Sequence, residues 1–460
     1  MQIQNRSASV QSVQELRDAV AQSFKVESSV LLNLIDALVV GPRPESAVEA
    51  ALSPAWNYDF SNLYAALSRS ARELAEDLSQ DDWLWELRKV RLAWLEAHNF
   101  PSPNPAIGKW KIRILDASDY PRPKATTVEL GYVHGAAGMK LGHGLSLLSQ
   151  RVGEGSWTLP LEIGWIPPTT HPTTYGVVQI EQFAERHGWD PDQALVVDAQ
   201  YSVEPFLKPI HQLGISTLGR VANNRVFYLP PPKYQGFGRP SVRGRKIKLS
   251  DGRTLPKSDE QEVIALEDGG RIESSRWNDV RMRAWPGQPL ALYRVIEYRA
   301  DGRRHYQRPL WLIFVPATPE TELPTPRQAQ AMYEERFGIE HSIRFQKGEL
   351  GLTAGQFNST EAEGRVQVWV EMVATAFWFL WALCGFAKEE NKPENKALIP
   401  KWWRSRKMTP GAVRKMAAGL LLSLGWKKPE PKPRGKSLGR TAGTKLEPRS
   451  HFKPVRISAR

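Results

Sequence analysis

"ALVVDAQYS", residues 194–202, opens with four apolar residues and then meets Asp198. A short, unbroken apolar run bounded by turn residues reads as a strand buried on both faces. Its neighbours read as helices. "TYGVVQIEQFAERHGWD" (174–190) precedes it and "VEPFLKPIHQLG" (203–214) follows it, each apolar at helical spacing. "ISTLGRV" (215–221) is a further strand. Upstream, "WKIRILDAS" (110–118), "GLSLLSQRV" (144–152) and "SWTLPLEIGWIPP" (156–168) are three more, with turn residues between them. Three strands, helix, strand, helix, strand describes a mixed α/β layer around a central sheet.

The rest of the chain is organised around that layer. Residues 1–100 read as a helical domain, with "VQELRDAVAQSF", "SSVLLNLIDALVV", "NLYAALSRSARELAEDL" and "DDWLWELRKVRLAWLEAH" as its helices. "NFPSPNPAIGK" (99–109) is a proline-rich linker. The layer occupies 110–225, and 226–306 is a β-rich insertion holding the strands "TLPKSDEQEVIALE", "DVRMRAW" and "LALYRVIEYRADGRRHYQ". "ADGR" within the last is a hairpin turn. "RPLWLIFVPA" returns to the layer, whose second part is 307–387, and Pro324 to Leu350 reads as one helix. "HGAAGMKLGHG" (134–144) reads as a loop. Residues 388–460 form a basic C-terminal region, disordered toward its end.

Charge narrows the partner. The 460-residue chain carries a net +13, which favours an anionic polymer or surface. Residues 1–100 hold 9 Lys and Arg against 14 Asp and Glu, so the excess lies elsewhere. Lys233 to Lys257 carry eight cations and one acid, and Lys427 to Arg460 carry 11 cations and 2 glutamates. A single cysteine, Cys384, excludes an intramolecular disulfide and a multi-cysteine zinc site, and suits a reducing cytoplasm. The start, "MQIQNRSASVQSVQELRD", has no apolar core of the signal-peptide kind. "MVATAFWFLWALCGFA" (372–387) is 16 residues long and follows Glu371. It is short for a membrane span and reads as a buried core helix, so no membrane partner is expected. No phosphate-binding loop of the Walker type is present, so no nucleotide fuel is implied.

Three carboxylates stand out. Asp116 and Asp198 each follow a short apolar strand, and strand-end carboxylates on adjacent strands converge at one edge of a sheet. Glu340, on the helix after the returning strand, can join them. Asp119 competes with Asp116, which is preferred because it ends the apolar run directly. Three hard oxygen ligands suit Mg²⁺ or Mn²⁺. Two such ions would activate an attacking oxygen and stabilise a leaving one in phosphoryl displacement.

"YEERFGIEHSIRFQK" (333–347) adds a pattern. Tyr333, Arg336, Glu340 and Lys347 recur on one face of a helix, a polar stripe of about 21 Å at about 1.5 Å per residue. Such a stripe fits something that tracks a polymer.

The spacing Tyr333-x2-Arg336-x3-Glu340-x6-Lys347 resembles the signature of bacterial insertion-sequence transposases of the DDE type. "ILDAS" (114–118) resembles that family's first-aspartate motif and "LVVDAQYS" (195–202) its second, with Ala117 standing where the family often has Asp or Thr. The order of elements is similar to the family's RNase H-like core with its β-rich insertion, over roughly residues 110–387. The resemblance implies DNA cleavage and strand transfer, with Asp116, Asp198 and Glu340 holding two Mg²⁺. Tyr333, Arg336 and Lys347 would contact phosphates near the cleaved end. Trp277 or Trp285 in the insertion would stack on a flipped base, and Arg220 and Arg225 would touch phosphates. The implied partners are double-stranded DNA with terminal inverted repeats, target DNA and a second copy in a synaptic dimer. The helical N-terminal domain would read the ends, and the compartment would be the bacterial cytoplasm, at the nucleoid. Two other readings share these residues: an RNase H-like nuclease on branched or hybrid nucleic acid, and a DNA-binding derivative that has lost catalysis.

Overall fold

The computed structural model describes residues 8–76, 83–98, 104–125, 127, 130–135, 138–153, 156–236, 238–357, 362–388, 408–423 and 443. Helices come first, as expected: α1 (Ala8–Ser23), α2 (Ser28–Val40), the single turn α3 (Ala47–Ala50), α4 (Phe60–Glu76) and α5 (Trp83–Ala97).

The α/β layer follows with β1 (Lys111–Pro121), β2 (Gly131–Gly135), β3 (Gly138–Arg151), β4 (Thr158–Ile166), α6 (Pro172–His187), β5 (Gln193–Val197), α7 (Glu204–Gln212) and β6 (Ser216–Val221). Local chemistry sets the boundaries of α6. The His171 ring accepts from the Thr173 N–H at its start, Pro172 fills the first turn, and Gly188 leaves at φ 72°. β5 is buried at all five positions, as its apolar run requires. β4, β3, β1, β5 and β6 lie side by side. β1 is antiparallel to β3, and β3 to β4, whereas β1, β5 and β6 run parallel. Three antiparallel strands followed by two parallel ones give the mixed-sheet core of RNase H-like type.

Two expectations change here. The described parts of "HGAAGMKLGHG", residues 134–135 and 138–144, are strand and not loop, since β2 and β3 pair antiparallel from Gly131↔Gly142 to Gly135↔Gly138. Ladder hydrogen bonds hold these glycines in strand against their low propensity. Asp116 does not end its strand either. β1 runs on to Pro121 because β3 remains its partner as far as Pro121↔Gly142. What ends beside Asp116 is the pairing with β5, whose last pair is Leu115↔Val197.

The insertion contributes β7 (Val226–Tyr228), β8 (Lys246–Lys248), β9 (Glu260–Ala265), β10 (Arg271–Met282) and β11 (Leu290–Tyr298). β12 (Leu310–Val315) returns and pairs β6 on one side and β11 on the other. The insertion therefore extends the layer's own sheet, giving twelve strands among the described residues. "ADGR" makes its turn, with Gly302 at φ 78°, but closes only the single bridge Tyr298↔Arg304.

α8 (Pro326–Glu335) and α9 (Phe337–Gly348) replace the single helix expected over 324–350. Thr325 and Gln328 cap α8 reciprocally. The Arg336 and Ile339 N–H groups bond three residues back, to Tyr333 and Arg336, and this tight turn separates the two helices.

α10 (Ala362–Lys388) and α11 (Pro410–Ser423) complete the described chain. Gly364–Gly385 is apolar and long enough to cross a membrane by length and composition, and 94% of its most apolar window is buried inside the protein. The N-terminal helices share one apolar cluster with α10 and the sheet. Polar bonds add to the join. Arg88 and Arg91 of α5 bind Glu371 of α10 at 2.5 and 3.0 Å, and Arg88 also donates to the Ile163 carbonyl of β4. The 427–460 basic stretch lies outside the described residues, Gly443 excepted.

Candidate active site

The row of paired residues Leu115, Val197 and Gly219 crosses β1, β5 and β6. One residue further along each strand stand Asp116, Asp198 and Arg220. The sheet thus brings both aspartates, 82 residues apart in sequence, to neighbouring positions at the C-terminal end of the parallel strands, where open α/β sheets present their ligands.

Each carboxylate is held differently. Asp116 accepts from the Ala117 N–H at 2.9 Å and from Arg336 Nη1 at 3.0 Å. Asp198 accepts from the Gln200 N–H at 2.8 Å, so its side chain shapes the turn after β5. Glu340 comes from the first turn of α9 and is bound by Arg336 Nη2. One guanidinium therefore joins Asp116 to Glu340. The Asp116 side chain is 16% exposed and Glu340 is 42% exposed. Burial pushes the Asp116 carboxyl up to about 6; Asp198 and Glu340 add to the rise, while Arg336 and the Ala117 N–H oppose it.

The polar stripe runs along β1 with Tyr333 and Arg336 buried and Glu340 and Lys347 part-exposed. Lys347 Nζ donates to Ser118 Oγ at 2.8 Å and to the Asp119 carbonyl at 2.6 Å. Burial lowers its pKa. Tyr333 is 1% exposed, with its ring 5.6 Å from the Arg336 guanidinium. The ring packs against the Arg336 guanidinium. The phosphate contact expected of Tyr333 does not fit this burial: α8 packs Tyr333 into the core with Ala329 and Met332.

Beside these residues opens a cleft of about 520 Å³ lined by Asp116, Glu340, Lys347, Arg43 and Arg344, among others. Arg43 escaped the sequence reading. Arg43 sits in the "VGPRPES" break between helices, and nothing local ties that break to β1. Glu340 pairs with Arg336 four residues earlier.

The insertion's tryptophans separate. Trp277 is 3% exposed and donates to the Pro256 carbonyl at 2.9 Å, with its ring 6.0 Å from Trp311. It is a packing residue of β10, which corrects its assignment to base stacking. Trp285 is half-buried beside His211, at 5.3 Å. Arg220 and Arg225 are exposed at and just after the end of β6.

The sequence profile of the DDE superfamily endonucleases matches residues 20–284, more than half of the chain. This protein belongs to the DDE superfamily endonucleases. The matched segment of this family member holds Asp116 and Asp198 and stops before Glu340. No curated protein matches it in sequence. Among solved structures, a piggyBac transposase synaptic complex with hairpin DNA aligns at 9% identity, over 89% of this chain and 80% of that one. The TM-score of that alignment is 0.39.

For a divalent cation the donor chemistry fits: three carboxylates and no thiolate or imidazole. Among the described residues no three His, Cys, Asp or Glu side chains stand close enough to hold one ion. The guanidinium of Arg336 lies between two of the three donors.

Proposed function

We propose that this chain is the DNA transposase of an insertion sequence, which cuts the ends of its element and joins them to target DNA. One observation carries this reading: the sheet register sets Asp116 beside Asp198, while Arg336 ties Asp116 to Glu340. The DDE family membership supports nuclease chemistry, and the excess of basic residues supports a nucleic-acid partner.

In this reading Asp116, Asp198 and Glu340 would hold two Mg²⁺, with Mn²⁺ as a substitute. The ions would supply activation of the attacking oxygen and charge for the leaving one. The chain's own residues do the rest. Lys347 pins residues 118–119, so the backbone beside Asp116 is rigid when DNA arrives. Arg336 bridges Asp116 and Glu340 in the free protein and can exchange Glu340 for a phosphate oxygen, since Glu340 is part-exposed. Arg43 and Arg344 face the same cleft and would neutralise phosphates. Hydrolysis of one strand leaves a 3′-hydroxyl, and its attack on target DNA exchanges one phosphodiester for another, so no nucleotide fuel is consumed. Terminal inverted repeats as the recognised ends, a homodimer in the synaptic complex and a cytoplasmic, nucleoid-associated location belong to the same proposal.

The test is to incubate the purified protein with a plasmid carrying the DNA that flanks its gene, in Mg²⁺, Ca²⁺ or EDTA, and to map new strand ends. Nicks at discrete repeats that need Mg²⁺ and disappear in Glu340→Gln are expected. Near-normal cleavage by Glu340→Gln would sink the assignment of that residue. Binding with no nick in Mg²⁺ or Mn²⁺ would move the protein to the catalytically silent reading, and scattered nicks to the general nuclease.

A further inference from the structure

β8 is the last strand of the sheet order, and one of its faces is built from cations. β7 pairs β8 through Val226↔Lys248, Phe227↔Ile247 and Tyr228↔Lys246, and β10 joins through Arg281↔Tyr228. Directly paired residues share a face of a sheet, and neighbours along a strand alternate. Phe227 and Ile247 therefore point together to the inner face, where both are buried. Arg281, Tyr228, Lys246, Val226 and Lys248 lie on the outer one, where both lysines are exposed. Arg243 adds a fourth cation to that face. Its guanidinium sits 5.5 Å over the Tyr228 ring and donates to the Arg283 carbonyl at 3.1 Å.

Little negative charge opposes these groups. Asp279 pairs with Arg281 and Asp251 with Arg253. Among the described residues Lys246, Lys248 and Arg243 make no ion pair with a carboxylate. Lysines on an edge strand also serve to block strand-to-strand association. That purpose would not account for Arg243, which an aromatic ring and a carbonyl hold onto the same face. The face also lies close in the chain to the carboxylate row. Only residues 221–225 separate Arg220 from β7, and the Arg225 carbonyl accepts from the Leu249 N–H just after β8 at 3.2 Å.

We infer that the outer face of β7 and β8 binds the phosphate backbone of double-helical DNA, through Arg243, Lys246 and Lys248. The inference rests on the proposed DNA-processing role and adds a place where the duplex is held away from the cut. Neighbouring outer-face residues on one strand stand about 6.6 Å apart, close to the spacing of two phosphates at about 3.4 Å of rise each. Such contacts position the duplex and carry no sequence information.

The experiment uses the full chain and a fluorescent duplex of arbitrary sequence, with its single strand as comparison, and measures affinity over a range of salt. Lys246→Gln with Lys248→Gln should flatten the salt dependence by about 2 in log–log slope, at about 0.9 for each phosphate left without its lysine. Lys246→Arg with Lys248→Arg should keep the wild-type slope, which separates lost charge from lost folding. Mg²⁺-dependent nicking is followed in parallel. Wild-type nicking together with an unchanged slope in the Gln variant would overturn this surface and leave the transposase reading standing. A loss seen with the single strand but not with the duplex would also overturn it. A wild-type protein that neither binds nor nicks DNA would overturn both.

Discussion

Arg336 reaches Asp116 at 3.0 Å across 220 positions of sequence, and the same guanidinium holds Glu340 four residues further on. α9 is thereby locked onto β1 at the point where β1 loses its parallel neighbour.

The burial of Asp116 has a consequence for stability. Its folded pKa is raised to about 6 from 3.8, so the native state prefers the protonated form. The favourable contribution of this group is complete below 3.8 and is lost as pH rises through about 6. In metal-free buffer, Asp116→Asn should therefore raise stability by about 1–3 kcal/mol at pH above 7, and the gain should shrink toward pH 4. Thermal melts of both proteins across that range check it, and a variant less stable at every pH would refute the charge argument.

Glu371 shows the opposite balance. Burial alone would push its carboxyl up, but Arg88 and Arg91 outweigh burial and hold it below the ordinary 4.5. Its contribution is present above 4.5 and fades as pH falls through the lowered value. Glu371→Ala leaves two guanidiniums facing an apolar helix and should cost about 3–5 kcal/mol. Denaturant titration at neutral pH measures this, and a cost under about 1 kcal/mol would show that the α5–α10 join does not depend on the ion pairs.

Gly219 sits in the paired row behind the aspartates. A Cβ there would come within 2.1 Å of Ser202 Oγ and 3.1 Å of a Val197 methyl. Ser202 Oγ in turn donates to the Asp198 carbonyl at 3.1 Å. Gly219→Ala should cost about 1–3 kcal/mol through overpacking, and should lower the cleavage rate more than DNA affinity by disturbing the Asp198 turn. Equal loss of both would point to general unfolding.

Trp277 and Trp285 should differ. Trp277→Ala empties a buried site and should cost about 3–5 kcal/mol. Trp285→Ala leaves a half-buried position and should cost less. Paired melts decide it; a larger loss at Trp285 would reverse the packing assignment.

Much of the fold is legible in the sequence because its signals are local. The apolar run 194–197 demands a buried strand, and α6 carries its own boundary residues, His171, Pro172 and Gly188. The apolar stretch 372–387 reads as a core helix, and α10 is one. The glycine-rich β2–β3 pair escapes such a reading because its strand form comes from ladder bonds between two segments, not from propensity. The break at Arg336 escapes it because side-chain spacing alone continues smoothly through the turn.

By itself the sequence determined the parts: a mixed α/β core, a helical start, a β-rich insertion, three carboxylates and a basic excess. These depend on residue type and periodicity, which each segment carries within itself. Only the tertiary structure decided how the parts meet. It set Asp116 beside Asp198 through the register of β1 and β5, buried Tyr333 and Arg336 while leaving Glu340 and Lys347 at the cleft, brought Arg43 to that cleft and gathered Arg243, Lys246 and Lys248 on one face. Register, the sense of a turn and the packing of one element on another are properties of pairs of segments, and no single stretch of chain encodes them.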